Sequence, residues 1–308
     1  ATSEDQAGSE YPAIQGFRST LHHSDAIWVA VENWTDTEGN QWQHKIAHKG
    51  PRVMGIGEVF PVGDLRMTTR FPDPKVYVDG LLTFGHAASP DSVNPDMNAT
   101  RKLKHRVNFL NGITMEREIR AFSQEYHDNY HIIEYTFTNT GNVDGDPEIE
   151  KPDQTLNGVW FFFSKRWGVN QYASGVLGNG AKWGRENLFD MVGDGHEEYE
   201  VDFRAQYGWN SYDPDFTEWD AMGAPAINDN GWYTSEGDSV GRLTAPQFAG
   251  RVVLHGEGSP DSEEDDMSQP NSMIWYSSDH DVYDYGQTAF DEKQMSTEYR
   301  LIQAKEGN

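Results

Sequence analysis

Apolar and polar residues alternate with a period of two along most of this chain, and helical periodicity is rare. Clusters of Gly, Pro, Asn and Asp, which favour turns, separate the alternating segments. The pattern therefore predicts a mostly β chain. The candidate strands are residues 26–33, 74–85, 112–126, 130–140, 158–167, 197–209, 250–258 and 271–278.

Two of these strands are predicted to form an antiparallel hairpin through the short polar connection 127–129. In its second strand Ile133, Tyr135 and Phe137 share one face, as expected for a half-buried strand. The segment 159–163, VWFFF, is apolar on both faces, which predicts a central strand covered on both sides. Two stacked antiparallel sheets are the simplest architecture, so we expect an antiparallel β-sandwich, either one large sandwich or two closely packed ones.

The chain is long enough, at 308 residues, to bury a sizeable core. We find no repeat of fixed period and no long linker, so the sequence predicts a polar N-terminal arm at residues 1–13 and a β-sandwich domain at 14–308 without an internal boundary. The acidic segment 259–270, SPDSEEDDMSQP, is expected to be an exposed loop.

Acidic residues outnumber basic ones, with 50 Asp and Glu against 24 Lys and Arg and a net charge of −26. Nucleic acids and anionic membranes are poor partners for such a chain, because proteins bind both through clustered Lys and Arg. The only short basic run in the sequence is at 101–106. An acid excess is typical of a halophilic protein, because salt screens the repulsion between its surface charges. It is also typical of a surface that collects divalent cations.

The chain has no cysteine, which excludes disulfides, thiolate metal sites and cysteine nucleophiles. The sequence contains no run of roughly 18 apolar residues, so we predict no membrane-spanning helix. The opening ATSEDQAGSEYPA is small and polar, as in mature secreted proteins after removal of a signal peptide. We therefore expect a secreted protein, located outside the cell or on the cell surface.

A ladder of oxygen-bearing side chains follows the strand 130–140, with one such residue at every second position and a glycine for a tight bend. Calcium prefers six to eight hard oxygen ligands from flexible loops of this kind, which predicts a structural Ca²⁺ site. The alternative is a polar turn in an acidic protein. The candidate ligands are Asn142, Asp144, Asp146, Glu148 and Glu150.

Other chemistry has weaker support in the sequence. His44 and His48 lie on one side of either a helix or a strand, but no third zinc ligand is evident, so we interpret them as surface histidines. No nucleophile motif, phosphate loop or dinucleotide fingerprint is present, so an enzyme is the less favoured class.

Tryptophans amid Gly and Asn suggest a surface on which sugar rings stack, with burial in the core as the alternative. These candidate ligand-binding residues are Trp167, Trp183, Trp209, Trp219 and Trp232.

The segment AFSQEYHDNYHIIEYTFTNTGNVDGDPEIE together with GVWFFF resembles parts of secreted or cell-surface β-sandwich proteins of Bacteroidota and related marine or saline bacteria. The resemblance covers about residues 112–167. It implies export and a β-sandwich, and it assigns no reaction and no residue roles.

These observations predict a secreted, acidic surface protein that acts by binding or self-assembly, as a structural subunit of an extracellular filament, coat or surface complex. Its partners would be further copies of itself or other surface proteins. One alternative is a carbohydrate-binding protein that takes polysaccharide beside an outer-membrane uptake system. Another is a carbohydrate-active enzyme of sandwich fold.

Overall fold

The computed structural model of the chain describes residues 9–10, 20–49, 58–84, 89–170, 187–192, 204–210, 248–270 and 290–303. These residues are mostly β, as the alternation predicts. The first nine strands are β1 (Ser9–Glu10), β2 (Thr20–Thr35), β3 (Gln41–Lys49), β4 (Val59–Pro61), β5 (Arg66–Thr69), β6 (Val76–Val78), β7 (Leu81–Phe84), β8 (Ser92–Val93) and β9 (Arg101–Phe109). They are followed by β10 (Ile113–Ala121), β11 (His131–Asn139), β12 (Asn157–Asn170), β13 (Asn187–Val192), β14 (Arg204–Asn210), β15 (Phe248–Val253), β16 (Glu257–Ser259), β17 (Ser262–Asp265) and the helix α1 (Glu292–Gln303).

The strands form several antiparallel sheets. The largest has the order β11–β10–β9–β5–β8, with β4 also paired to β9, and its one parallel pair is β5–β8. A four-stranded sheet runs β1–β2–β12 with β3 paired to β2, and a three-stranded sheet runs β13–β14–β15. Two hairpins, β6–β7 and β16–β17, each form a two-stranded sheet.

Contacts between Cα atoms group the chain into two compact units. One comprises Val29–His48 and Gly55–Trp160 and contains the six-stranded sheet. The other comprises Ala1–Trp28, Lys49–Met54 and Phe161–Asn308 and contains the three-stranded sheet and α1. Most of the predicted arm, residues 1–13, lies outside the described residues, although β1 within it pairs with β2.

The alternation in β11 correctly predicts its pairing with β10. Ile133 lies opposite Ile119, and Phe137 lies opposite Met115, so the apolar side chains of the two strands share a face. The connection is longer than predicted, because β10 ends at residue 121 and β11 begins at residue 131.

In strands β9, β10 and β11 the buried side chains lie at one end. Near the β9–β10 turn Val107, Phe109, Ile113 and Met115 are buried, whereas most residues at the other end of these strands are half-buried or exposed. Asn111, in the turn, is fully buried, and its Nδ2 donates a hydrogen bond to the carbonyl of a β2 residue at 3.0 Å. The turn end is therefore the fixed end of the sheet.

The prediction of a central strand at residues 159–163 is wrong. These residues belong to β12, which ends the described order β1–β2–β12. Their side chains are half-buried, and Phe161 is 38% exposed. The apolar run therefore reflects partial packing, including Trp28 against Phe162 with ring centroids 5.4 Å apart, and not cover on both faces.

The helix α1 is absent from the sequence prediction. Its buried residues are Met295, Glu298, Tyr299 and Ile302, which recur at intervals of three or four and so form one face. No helix among the described residues is long and apolar enough to cross a membrane.

Candidate functional site

The predicted calcium ligands lie in the loop between β11 and β12, and backbone bonds close the base of this loop. Lys151 N–H donates to the Gly141 carbonyl at 3.0 Å, and Gly141 N–H donates to the Gly112 carbonyl at 2.9 Å. Gly141 has φ +74°, and a Cβ there would overlap the Lys151 carbonyl. Glycine is required at this position because the two backbone segments approach too closely for any side chain.

Each oxygen-bearing side chain of the loop then organises the residue two positions on. Asn142 Oδ1 accepts from Asp144 N–H at 3.1 Å, and Asp144 Oδ1 accepts from Asp146 N–H at 2.8 Å. Asp146 Oδ1 in turn accepts from Glu148 N–H at 2.8 Å. These bonds form a series of turns in which each side chain fixes the backbone two residues further along the loop.

The structure brings three of the five predicted ligands together. Carboxylate oxygens of Asp144, Asp146 and Glu150 lie within 4.8 Å of one another. Glu150 reaches this group because its Oε2 accepts from Val143 N–H at 3.0 Å. Glu148 is exposed and is not a member of the group.

Asn142 has a different role in the loop from that of the carboxylates. Its side chain is buried, and its Nδ2 donates to the Asp146 carbonyl at 2.8 Å while its Oδ1 accepts from the loop backbone. It therefore braces the loop and directs the two aspartates.

The three carboxylates form no ion pair within the described part of the chain. In addition, the second oxygen of each carboxylate accepts no hydrogen bond there. Like charges at this separation repel, and a divalent cation would reverse the sign of the interaction. Three hard oxygens, supplemented by water, are the donor set that Ca²⁺ takes.

Two further contacts attach the loop to its surroundings. Asn108 on β9 donates from Nδ2 to the Asp144 carbonyl at 2.8 Å. The Lys151 ammonium donates to the Thr35 carbonyl and lies 4.9 Å from the centroid of the Trp34 ring. The loop is thereby connected to both β9 and the end of β2.

The hairpin β6–β7 is a second feature of note, because its large apolar side chains lie in solvent. Tyr77 and Leu82 are cross-strand neighbours and are 59% and 55% exposed, and Leu81 is 74% exposed. Val76 and Val78 are exposed as well. Asp79 and Gly80 form the turn with φ of +50° and +79°, the positive values that a tight two-residue hairpin turn requires. The sequence pattern instead predicted one continuous strand at residues 74–85.

A buried group of charges lies at β3, where the sequence predicted surface histidines. His48 is buried and donates from Nδ1 to Glu58 Oε2 at 2.9 Å, and its backbone N–H donates to the same oxygen at 3.0 Å. Lys45 Nζ lies 3.3 Å from Glu58 Oε1 and 4.7 Å from the centroid of the Trp42 ring. The prediction of a surface histidine is therefore wrong for His48. Its buried partner, Glu58, lies ten residues away in the sequence, so the local pattern does not indicate the pair.

The environment of Glu58 sets its ionisation. Burial alone raises the pKa of this carboxyl, but the hydrogen bond from the His48 ring, the charges of His48 and Lys45 and the His48 N–H together outweigh it. The pKa of Glu58 is consequently below its ordinary value, and the group is a carboxylate at neutral pH.

The acidic segment 259–270 is a folded feature in part. β17 lies within it and pairs with β16, which overlaps it only at Ser259, and the buried Arg204 donates to both carboxylate oxygens of Asp265 at 3.0 Å. Arg204 also donates to the carbonyls of Asp266 and Gln269 at 3.0 and 2.6 Å. The segment is therefore mostly exposed, as predicted, but it contains a strand and the turn of a hairpin instead of an irregular loop.

The tryptophans proposed to bind sugar cannot be placed against a ligand surface. Trp183, Trp219 and Trp232 lie outside the described residues, and Trp167 and Trp209 belong to β12 and β14, in parts of these strands where the backbone alone is described.

Comparisons with protein-family models, curated proteins and solved structures find no match for this chain. Its function is therefore inferred from its own residues. These are the exposed hairpin β6–β7 and the loop between β11 and β12 that contains Asp144, Asp146 and Glu150, which we call the acidic loop.

Proposed function

We propose that this chain is a secreted, acidic β-sandwich protein of the cell surface that acts by self-assembly, as a subunit of an extracellular filament, coat or surface complex. The observation that supports this function is the exposed apolar hairpin β6–β7. Apolar side chains grouped in solvent on a polar protein mark a contact surface, because their burial against a partner is favourable.

The size of the hairpin strengthens the proposal. A two-stranded hairpin is marginally stable in water by itself, and in this one both strands present exposed apolar residues. A partner that covers the hairpin would stabilise it, and each large side chain that becomes buried would contribute about 1.5–3 kcal/mol before the cost of association.

The distribution of charge favours a second copy as the partner. Two chains of net charge −26 repel each other over most of their surfaces. Segment 64–84, which includes the hairpin, has three acidic and three basic residues and is therefore neutral. Copies can approach through this segment at a smaller electrostatic cost than elsewhere, and salt reduces the remaining repulsion.

In the proposed assembly, Ca²⁺ is a structural ion of the acidic loop. Asp144, Asp146 and Glu150 would supply the protein ligands, and the ion would remove the repulsion among them. Because the same loop is attached to β9 and to the end of β2, bound calcium would stiffen the unit that presents the hairpin.

The hairpin variant Tyr77→Ser/Leu82→Ser tests the assembly proposal. Size-exclusion chromatography with light scattering, and electron microscopy at high salt, should show assemblies that grow with concentration for the natural chain and monomers for the variant. Both side chains are exposed, so the variant should melt at the temperature of the natural chain.

Leu254→Ser is the matched control, because Leu254 is 67% exposed, slightly more than the two hairpin residues, and lies outside the hairpin. It should leave assembly unchanged. A natural chain that stays monomeric at all concentrations, or a control that disrupts assembly as much as the hairpin variant, would refute the proposal.

A further inference from the structure

A groove of about 300 Å³ crosses the polar face of the sheet formed by β9, β10 and β11. The register of the strands places Glu116 between Arg106 and Thr136, and it places Thr114 beside Thr138. The lining residues are Arg106, Thr114, Glu116, Thr136, Thr138 and Thr140. All carry polar side chains, which indicates a strongly hydrated ligand.

Beside the groove, acidic and basic side chains pair with one another in what we call the charge row. Glu118 lies 2.8 Å from Arg120 and 3.3 Å from Lys104, and Lys104 lies 3.3 Å from Glu116. The charge row consists of Lys102, Lys104, Glu116, Glu118, Arg120 and Glu134.

Arg106 is outside this pairing. Its guanidinium forms no ion pair and no hydrogen bond within the described residues, although the chain has twice as many acidic as basic side chains. Glu116, which lies opposite it on β10, bonds to Lys104 instead. The groove therefore has a free planar cation at one end.

The hydroxyls of the groove divide into two sets. Thr114 and Thr140 are 2.7 Å apart and bond to each other, and Thr114 also donates to Asn108 Oδ1 at 2.7 Å. Thr136 and Thr138 are exposed, and their hydroxyls form no hydrogen bond in the described part of the chain. A ligand would thus find two hydroxyls on β11 in line, beside one carboxylate and one guanidinium.

We propose that this groove binds an acidic sugar unit, a hexuronate, of an extracellular polysaccharide. The sugar carboxylate would accept two parallel hydrogen bonds from the Arg106 guanidinium, a geometry that a planar carboxylate matches. Its hydroxyls would bond to Thr136, Thr138 and the Glu116 carboxylate. The volume is at the lower end of small-ligand sites and suits one sugar ring.

The proposal is independent of self-assembly, because no groove residue belongs to the hairpin β6–β7. Binding should therefore persist in the hairpin variant Tyr77→Ser/Leu82→Ser, which also provides a monomer for the measurement.

Calorimetric titration with a galacturonate trimer, a neutral glucose trimer and a sulfated glucose trimer tests the site. The galacturonate trimer should bind saturably and about tenfold or more tightly than the neutral trimer, because the latter leaves the guanidinium unpaired. Arg106→Gln should weaken galacturonate binding by about tenfold or more, whereas Arg106→Lys, which retains the charge without the fork, should give an intermediate loss. Tighter binding of the sulfated trimer would overturn the assignment to a carboxylate.

Arg66→Gln is the matched control, because it removes one positive charge from the same sheet outside the groove. It should change the affinity less than twofold. Thr138→Val, which replaces the hydroxyl by a methyl of similar size, should weaken binding a few-fold and leave the fold intact by circular dichroism. Absence of saturable binding, or an Arg106→Gln variant that binds like the natural chain, would overturn the proposal. Equal losses of affinity in Arg106→Gln and Arg66→Gln would overturn it as well.

Discussion

Replacing Glu58 with glutamine tests whether the charges buried beside β3 hold that strand in place. Glutamine has nearly the same volume, so packing is retained while the negative charge is removed. Lys45 would then be a buried ammonium without a counter-charge, since its Nζ lies 3.3 Å from Glu58 and its side chain is 6% exposed. His48 would lose the acceptor of its ring hydrogen bond, or keep it in a weaker, neutral form.

Removal of one partner from a buried ion pair typically destabilises a protein by about 3–5 kcal/mol, because the remaining charge stays in a medium that solvates it poorly. Glutamine still offers a carbonyl oxygen to one donor, so we expect a loss at the lower end, about 3 kcal/mol. With a urea dependence of about 1–3 kcal/mol per molar, the unfolding midpoint should fall by roughly 1–3 M.

Equilibrium unfolding in urea, followed by circular dichroism and tryptophan fluorescence, measures this shift. The control is Asp64→Asn, which breaks the pair of Asp64 with Arg66 at 3.2 Å, where the side chains are 80% and 62% exposed. Exposed pairs contribute little, so its midpoint should match that of the natural chain. If Glu58→Gln unfolds at the same urea concentration as the control, the three buried groups do not form a coupled charge network.

Three further outcomes follow from the structure. The pKa of Glu58 lies below its ordinary value of 4.5 in the folded chain, so its contribution to stability is present above that value and is lost as the pH falls through the folded pKa; thermal melts at successively lower pH below 4.5 should show a steeper loss for the natural chain than for Glu58→Gln. Calcium should raise the melting temperature of the natural chain, and Asp144→Asn/Asp146→Asn should abolish that gain, whereas a full calcium response in the variant would contradict the site. Gly141→Ala should destabilise the fold by several kcal/mol in urea unfolding, because its Cβ would overlap the Lys151 carbonyl at a positive φ; an unchanged midpoint would show that the loop base can move apart.

The alternation in the sequence predicted β11 well, because one of its faces repeats large apolar residues. It did not predict β9, whose first six residues are mostly Lys, Arg and His. These charges are tolerated in a central strand because Glu116 and Glu118 on β10 neutralise several of them, an interaction between strands that no local pattern contains. In β6–β7 the signal was present, since Asp79–Gly80 is a typical hairpin turn, but the apolar residues on both sides obscured it.

Only part of the carboxylate group in the acidic loop could be predicted from the sequence. A spacing of two brings Asp144 and Asp146 together through local turns, which sequence alone can indicate. Glu150 joins them through its bond to Val143 N–H, and Glu148 is exposed and outside the group, and neither fact is contained in the spacing. The helix α1 could have been found from the spacing of Met295, Tyr299 and Ile302.

The charge row has a consequence in brine. At about 1 M salt the electrostatic screening length shrinks to about 3 Å, which suppresses repulsion between distant acidic groups. Within the row, Glu118 is 13% exposed and contacts Arg120 at 2.8 Å and Lys104 at 3.3 Å, so salt screens its contacts less than it screens the exposed pair of Arg120 with Glu134. Concentrated electrolyte would thus remove much of the repulsion that opposes compactness and leave most of the attraction around Glu118 in place, so that salt would stabilise the folded chain.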